Sequence, residues 1–270
     1  PRVGQLSIRQ GLHLREARQE KLTNVFLHEI KATNKMVASA TLDIFSPDIA
    51  HICTEQKFSE TLLTQHHKIR VREGEAITFY KWIGYKHCDV NHVPCIALEL
   101  QDMLEKEAQY GFLNQMGKHI AKWSAFWQVA DVEIEGDVRI QQGIRFNLYH
   151  VFQSSGRNGA SSIGAKGLTG PGYDGHYFWD TEIYVIPFLS LIQPELARKL
   201  IEFRINTLAK AKTRAREMSH KTGALYSWRT IGGEECSAYF PAGTAQYHVN
   251  AAVAYALKYY LQVTNDNTLL

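Results

Sequence analysis

Cysteine is scarce in this chain, with four in 270 residues, at positions 53, 88, 95 and 236. That is too few for a disulfide scaffold and suits a reducing, cytoplasmic setting. An excess of either charge is also missing. Lys and Arg total 30 against 27 Asp and Glu, a formal net charge of +3 with His neutral. Charges so balanced and interspersed leave no electrostatic footprint for a nucleic acid. No apolar run reaches the roughly 18 to 20 residues that span a bilayer, so no membrane partner is expected. The phosphate-binding pattern Gly-x-x-x-x-Gly-Lys-Ser/Thr is absent, and no dinucleotide fingerprint follows a strand. Proline and glycine are thin in the first third, which leaves turns there poorly marked.

What is present is an ordinary globular composition, 45% apolar and 21% charged. It is enough for one large domain or two ordinary ones. The chain opens Pro1-Arg2-Val3 without an initiator Met. It closes on Thr264-Asn265-Asp266-Asn267-Thr268-Leu269-Leu270, a capping-type stretch that reads as leading into a further helix. Both ends are therefore expected to be cuts within a longer protein. One stretch invites a metal, because His87, Cys88, His92 and Cys95 fall within nine residues. Structural zinc sites draw ligands from two separated pairs, however, and a single short loop has no second pair. The simpler reading is a loop leaving a strand, closed by Pro94 before a helix.

Residues 1 to 95 read as β. Val25–Ile30, Met36–Phe45 and Ala76–Ile83 carry the β-branched and aromatic residues of a pleated surface, and Lys68–Arg72 alternates apolar with polar. The pattern changes near residue 96. Leu98, Leu100, Met103 and Leu104 suggest a helix that breaks near Gly111. Phe112, Met116, His119, Ile120, Trp123, Phe126 and Trp127 then form a stripe at spacings of three and four. Asp137 caps another helix striped by Ile140, Ile144, Leu148, Val151 and Phe152. Pro194 opens a helix running through Leu196, Leu200, Phe203 and Leu208 towards Met218. Its Lys199, Arg204, Lys210, Lys212, Arg214 and Arg216 read as a solvated face. Tyr247, Val249, Val253, Leu257, Tyr260 and Leu261 mark a last helix. Strands followed by helices, without alternation, argue against a parallel sheet.

Two long loops interrupt the helices. The first, from Gln153 to about Phe178, holds seven of the 19 glycines. A connection this long inside a compact domain is usually functional. It delivers the chain into Phe178-Trp179-Asp180-Thr181-Glu182. An indole suits the apolar face of a pyranose, and a neighbouring carboxylate accepts two hydroxyl protons. The competing reading puts Trp179 in a core, with Asp180 capping the helix and Glu182 at its positive end. The second loop, from His220 to about Ala245, holds Trp228, Gly232-Gly233 and the adjacent carboxylates Glu234 and Glu235. The two loops occupy like positions between helices and could converge.

Several runs together resemble glycoside hydrolase family 65. They are Glu133-Ile134-Glu135-Gly136-Asp137 with Arg145-Phe146-Asn147; Ala165-Lys166-Gly167-Leu168-Thr169-Gly170; Gly172-Tyr173-Asp174-Gly175-His176; Phe178-Trp179-Asp180-Thr181-Glu182; Gly233-Glu234-Glu235-Cys236; and Tyr239 through His248. The resemblance runs from about residue 60 onward. It implies a multidomain chain, β then α: residues 1–95 as the end of an N-terminal β-sandwich, 96–130 as a helical linker, and 131–270 as the first part of an (α/α)6 barrel. It also implies inverting phosphorolysis of an α-linked glucose disaccharide, of the maltose, trehalose, kojibiose or nigerose class, to β-glucose 1-phosphate and glucose. One carboxylic acid protonates the glycosidic oxygen while inorganic phosphate, a co-substrate rather than a cofactor, attacks the anomeric carbon. Trp179 and Asp180 would hold the non-reducing glucose. The acid itself is expected downstream of residue 270, so Glu182, Glu234 and Glu235 receive no catalytic role. Trp228 and His248 would line the pocket. The resemblance further implies a homodimeric full-length parent. A trehalase-like hydrolase of the same architecture and a non-catalytic sugar-binding module are the alternatives.

Overall fold

The computed structural model describes residues 12–20, 23–30, 35–46, 53–59, 62–89, 93–170 and 172–269. They fall into two compact units, one ending at Ser124 and one beginning at Ala125. The first is built on β1 (Leu12–Glu20), β2 (Thr23–Ile30), β3 (Lys35–Ser46) and β6 (Thr78–Asp89), an antiparallel sheet in the order β1-β2-β3-β6. β4 (Cys53–Phe58) and β5 (Leu63–Lys68) pair separately as a hairpin. Strand alternation puts Val25, Leu27, Met36, Ala38 and Ala40 into one buried cluster. Ile96, Ala97, Leu100 and Leu104 of α1 (Val93–Tyr110) complete it. Gly84 on β6 makes the close approach possible: a Cβ there would sit 2.9 Å from Leu100 Cδ1 and 3.1 Å from Leu104 Cδ2. Gly111, at φ +82°, ends α1 in the left-handed conformation that glycine tolerates best, and α2 (Phe112–Ala130) follows.

The strands read over 25–30, 36–45 and 76–83 are found, with the last extending to Asp89. The strand expected at Lys68–Arg72 is not. β5 ends at Lys68, and residues 69–72 form no ladder. Val71 is half exposed, so the alternation there has neither a partner strand nor a buried face to fill. In the cysteine- and histidine-rich stretch, β6 reaches Asp89 and α1 begins at Val93, while His92 lies outside the described residues. Cys88 packs against the sheet core and Cys95 is exposed. Among the described residues no three His, Cys, Asp or Glu side chains are grouped to hold a metal. No described helix is long and apolar enough to cross a membrane.

The second unit is helical. Asp137 caps α3 (Val138–Ser154), its carboxylate accepting from Arg139 N at 2.8 Å. Phe152 of α3 stacks on Phe126 with ring centroids 4.2 Å apart. A π-helical turn, Thr181–Val185, runs into α4 (Ile186–Ile192). α5 (Pro194–Asn206), α6 (Leu208–Glu217) and α7 (His248–Thr264) follow. The long helix expected from Pro194 is two helices. Thr207 divides them, its hydroxyl donating to the carbonyls of Phe203 at 3.0 Å and Arg204 at 3.1 Å in competition with the helical ladder. Ile186, Leu189, Leu200, Phe203, Val249 and Ala256 fill the core between α4, α5 and α7. Beyond α7, the Asp266 carboxylate accepts from Thr268 Oγ1 at 2.6 Å, Tyr260 OH at 2.8 Å and Arg198 Nη1 at 2.5 Å. These donors, the Thr268 hydroxyl foremost, hold its pKa down at about 2.

Two expectations follow. Gly84→Val should cost about 1–3 kcal/mol by overpacking, read as a lowered denaturant midpoint with an unchanged slope. The Asp266 cluster stabilises the native state fully above the ordinary carboxylate pKa of about 4, and the contribution drains away as pH falls towards 2. Melting temperature should therefore fall more steeply between pH 4 and pH 2 in the wild type than in Asp266→Asn.

Candidate functional site

The two glycine-bearing loops meet. Tyr177 N donates to Thr230 O at 2.7 Å and Thr230 N returns a bond to Tyr177 O at 3.2 Å, a two-residue antiparallel bridge. Arg229 Nη2 adds bonds to the Asp174 carboxylate at 3.1 Å and the Tyr173 carbonyl at 3.4 Å, and lies 3.1 Å from His176 Nδ1. The segment it holds is bent sharply, with Tyr173, Asp174 and Gly175 all at positive φ (62°, 52° and 72°). In the second loop, Glu235 works on the backbone. It accepts from the N–H groups of Trp228 (2.8 Å), Ser237 (3.1 Å) and Arg229 (3.3 Å). Gly233, at φ +106°, lets the chain pass Thr207 where a Cβ would come within 2.7 Å.

Beside this junction lies a cavity of about 630 Å3 in the helical unit. Trp179, Asp180 and Trp228 line it, with Tyr173 and Phe178. The readings that would have retired the Trp-Asp couple fail. Asp180 is exposed, stands at the N-terminal boundary of the π-turn and makes no capping hydrogen bond with its side chain. Trp179 is half-buried rather than core. His248 does not line the cavity; it meets the Trp179 ring edge-on, with centroids 4.8 Å apart. Trp228 is wedged between Phe178 at 5.7 Å and Tyr239 at 5.9 Å.

The three glutamates without a sequence role all have structural ones, and none lines the cavity. Glu235 organises its loop, as above. Glu234 pairs with Lys210 at 2.6 Å; burial pushes its carboxyl up, but the ammonium outweighs this and the net shift is down. Glu182, 1% exposed, grips Arg204, 2% exposed, through Nε at 2.8 Å and Nη2 at 2.9 Å. Arg204 is thus a correction to the solvated basic face. It stands four residues after Leu200 and three after Ile201, on the buried stripe of α5. Burial works against its charge, but Glu182 outweighs this and holds its pKa above the usual guanidinium value.

Sequence reasoning missed another part of the lining. Asn147, His150 and Ser154 of α3 line the cavity, together with Lys166 from the first loop. Their spacing of three and four, beside the apolar stripe of the same helix, was the available signal. Gln153 Nε2 lies 3.0 Å from His150 Nδ1, and Ser154 Oγ is buried without a hydrogen-bond partner in the protein. Among the described residues, Asp180 is the only carboxylate on the lining.

Aromatic rings, one carboxylate and the polar side chains of α3 and Lys166 thus share one cavity. Residues 145–270 match the family model described as the glycosyl hydrolase family 65 central catalytic domain, and through this region the chain belongs to that family. The alpha,alpha-trehalose phosphorylase of Thermoanaerobacter brockii is 51% identical over 201 residues, 73% of this chain and 26% of the relative. The alpha,alpha-trehalose phosphorylase of Geobacillus stearothermophilus is 56% identical over 154 residues, 57% of this chain and 20% of the relative. The chain thus spans about a quarter of the first and a fifth of the second. A solved human-microbiome structure, described as a kojibiose phosphorylase, shares the fold at TM-score 0.84 and 24% identity, over 96% of this chain and 34% of its own.

The Arg229 clasp is testable. Arg229→Ala should speed amide exchange at Ala165, bonded to the His176 carbonyl within the first loop, and at Tyr177, bonded to the Thr230 carbonyl of the second, by tenfold or more while leaving α5 amides protected. Hydrogen exchange read by mass spectrometry checks it.

Proposed function

We propose that this chain contributes the non-reducing glucose site of a disaccharide phosphorylase. The observation that carries the reading is that Trp179 and Asp180 line one cavity with the Asp180 carboxylate committed to no capping bond. The indole covers the C–H face of the pyranose. Asp180 accepts two hydroxyl protons, each a charge-assisted bond worth roughly 1.5–3 kcal/mol. Asn147, His150 and Lys166 face the remaining hydroxyls. The ring so held presents its anomeric carbon to inorganic phosphate while an acid from another part of the protein protonates the leaving oxygen, giving β-glucose 1-phosphate. No cofactor enters this scheme.

The helices are read as the opening of an (α/α)6 barrel over residues 131–270, with 96–130 as linker and 1–95 as the end of a β-sandwich. The full-length protein is read as a cytoplasmic homodimer. Among α-linked glucose disaccharides, trehalose is the first substrate to try, given the names of the two bacterial relatives described above.

The experiment is turnover of trehalose, kojibiose, maltose and nigerose by the full-length protein with and without phosphate. Glucose 1-phosphate formed only with phosphate supports the proposal. Glucose released at the same rate without phosphate overturns it in favour of the hydrolase, and no turnover with retained sugar binding favours the binding module. Asp180→Asn and Trp179→Ala should each lower kcat/KM by about ten- to a hundredfold without lowering the melting temperature by more than a few degrees, because Asp180 is exposed and Trp179 only half-buried.

A further inference from the structure

The turn that presents Trp179 and Asp180 is not α-helical. Thr181–Val185 is wound one residue wider, with Ile186 N–H returning to the Thr181 carbonyl. At its start the Trp179 carbonyl accepts from both Glu182 N (3.1 Å) and Ile183 N (3.3 Å). Two features hold the wider winding. Pro187, in the first turn of α4, has no N–H, and in an α-helix its ring would strike the Ile183 carbonyl. Glu182, inside the turn, is bound at both oxygens by Arg204 of α5. The Tyr226 hydroxyl, from the second loop, donates to the Arg204 backbone carbonyl at 3.2 Å, so one arginine joins the turn, α5 and the second loop.

A π-turn inserts one residue, and one residue is about 100° of helical rotation and 1.5 Å of rise. Narrowing this turn to α would therefore swing Trp179 and Asp180 by about 100° relative to Ile186 and Leu189, which are anchored in the core. A buried ion pair is poor evidence of stability, because desolvation consumes most of the attraction; its attested use is to select one register. We propose that Glu182 and Arg204 are positioning residues, a pair that fixes the register of this turn and so delivers the indole and carboxylate to the cavity. The proposal rests on the glucose-site reading and assigns the pair no contact with substrate.

The experiment uses the full-length protein labelled with 5-fluorotryptophan, the Trp179 resonance being assigned by Trp179→Phe. Glu182→Met/Arg204→Met removes both charges and keeps two long unbranched side chains in the space. The expected result is a cooperative melt near that of the wild type, a displaced Trp179 fluorine resonance, and glucose affinity lowered at least tenfold. A retained melt with an unmoved resonance and unchanged affinity overturns the proposal, since a merely structural pair would give that result. Should the double variant fail to fold, Glu182→Asp keeps the charge and shortens the reach by one methylene. A displaced resonance with weakened binding then supports the register role, and neither change overturns it. If the wild type itself binds no glucose, the sugar reading fails alone. The resonance still decides the lock: displaced supports it, unmoved overturns it.

Discussion

Two opposite charges, almost wholly withdrawn from water, sit at the centre of the helical unit. Glu182 and Arg204 each give up hydration that the pair alone barely restores, so the arrangement persists only with both oxygens and two guanidinium nitrogens matched. The turn that carries Trp179 and Asp180 and the loop that carries Trp228 are each tied to one of the two. Trp179 and Asp180 precede Glu182 in the same turn, α5 carries Arg204, and Tyr226 ties the second loop to the Arg204 carbonyl. The apolar core of Ile186, Leu189 and Leu200 supplies the dry surroundings that make the match obligatory.

The loops follow a different logic. Apart from one short 3-10 turn in each, Gly172–Gly175 and Pro241–Thr244, neither has a helix or sheet to satisfy its backbone, so each borrows partners. Glu235 supplies acceptors to three N–H groups of its own loop, and Arg229 supplies donors to the other. Their meeting at Tyr177 and Thr230 uses two ladder bonds. Glycine enters where a side chain would collide, as at Gly233 against Thr207. Carboxylates in such a region carry charge that looks catalytic in sequence but is spent on folding.

That distinction marks how far the sequence could be read. An indole beside a carboxylate at a helix mouth has a chemical meaning of its own, which drew attention to two residues that the structure places on one cavity. The meeting of the loops could be anticipated from their like positions between helices. Arg204 was misread because charge spoke louder than its spacing from Leu200. The polar stripe of Asn147, His150 and Ser154 was hidden by the apolar stripe beside it on α3. β1, β4 and β5 went unmarked because Leu-His-Leu-Arg-Glu-Ala-Arg-Gln-Glu, Cys-Thr-Glu-Gln-Lys-Phe and Leu-Thr-Gln-His-His-Lys carry little alternation. Pairing, not local pattern, makes them strands. The π-turn left only Pro187 as a trace, and the partner that shares its task lies 22 residues from Glu182.

The bend at Tyr173, Asp174 and Gly175 has a mechanical side. A bulky residue held left-handed stores on the order of 1–3 kcal/mol, and Tyr173 is such a residue on the rim of the cavity. The guanidinium that grasps its carbonyl works against that tension. The rim is thus strained backbone fastened at several points, since the Tyr173 carbonyl accepts from His176 N at 2.9 Å as well as from Arg229, and the tyrosine ring meets Phe178 edge-on at 5.3 Å.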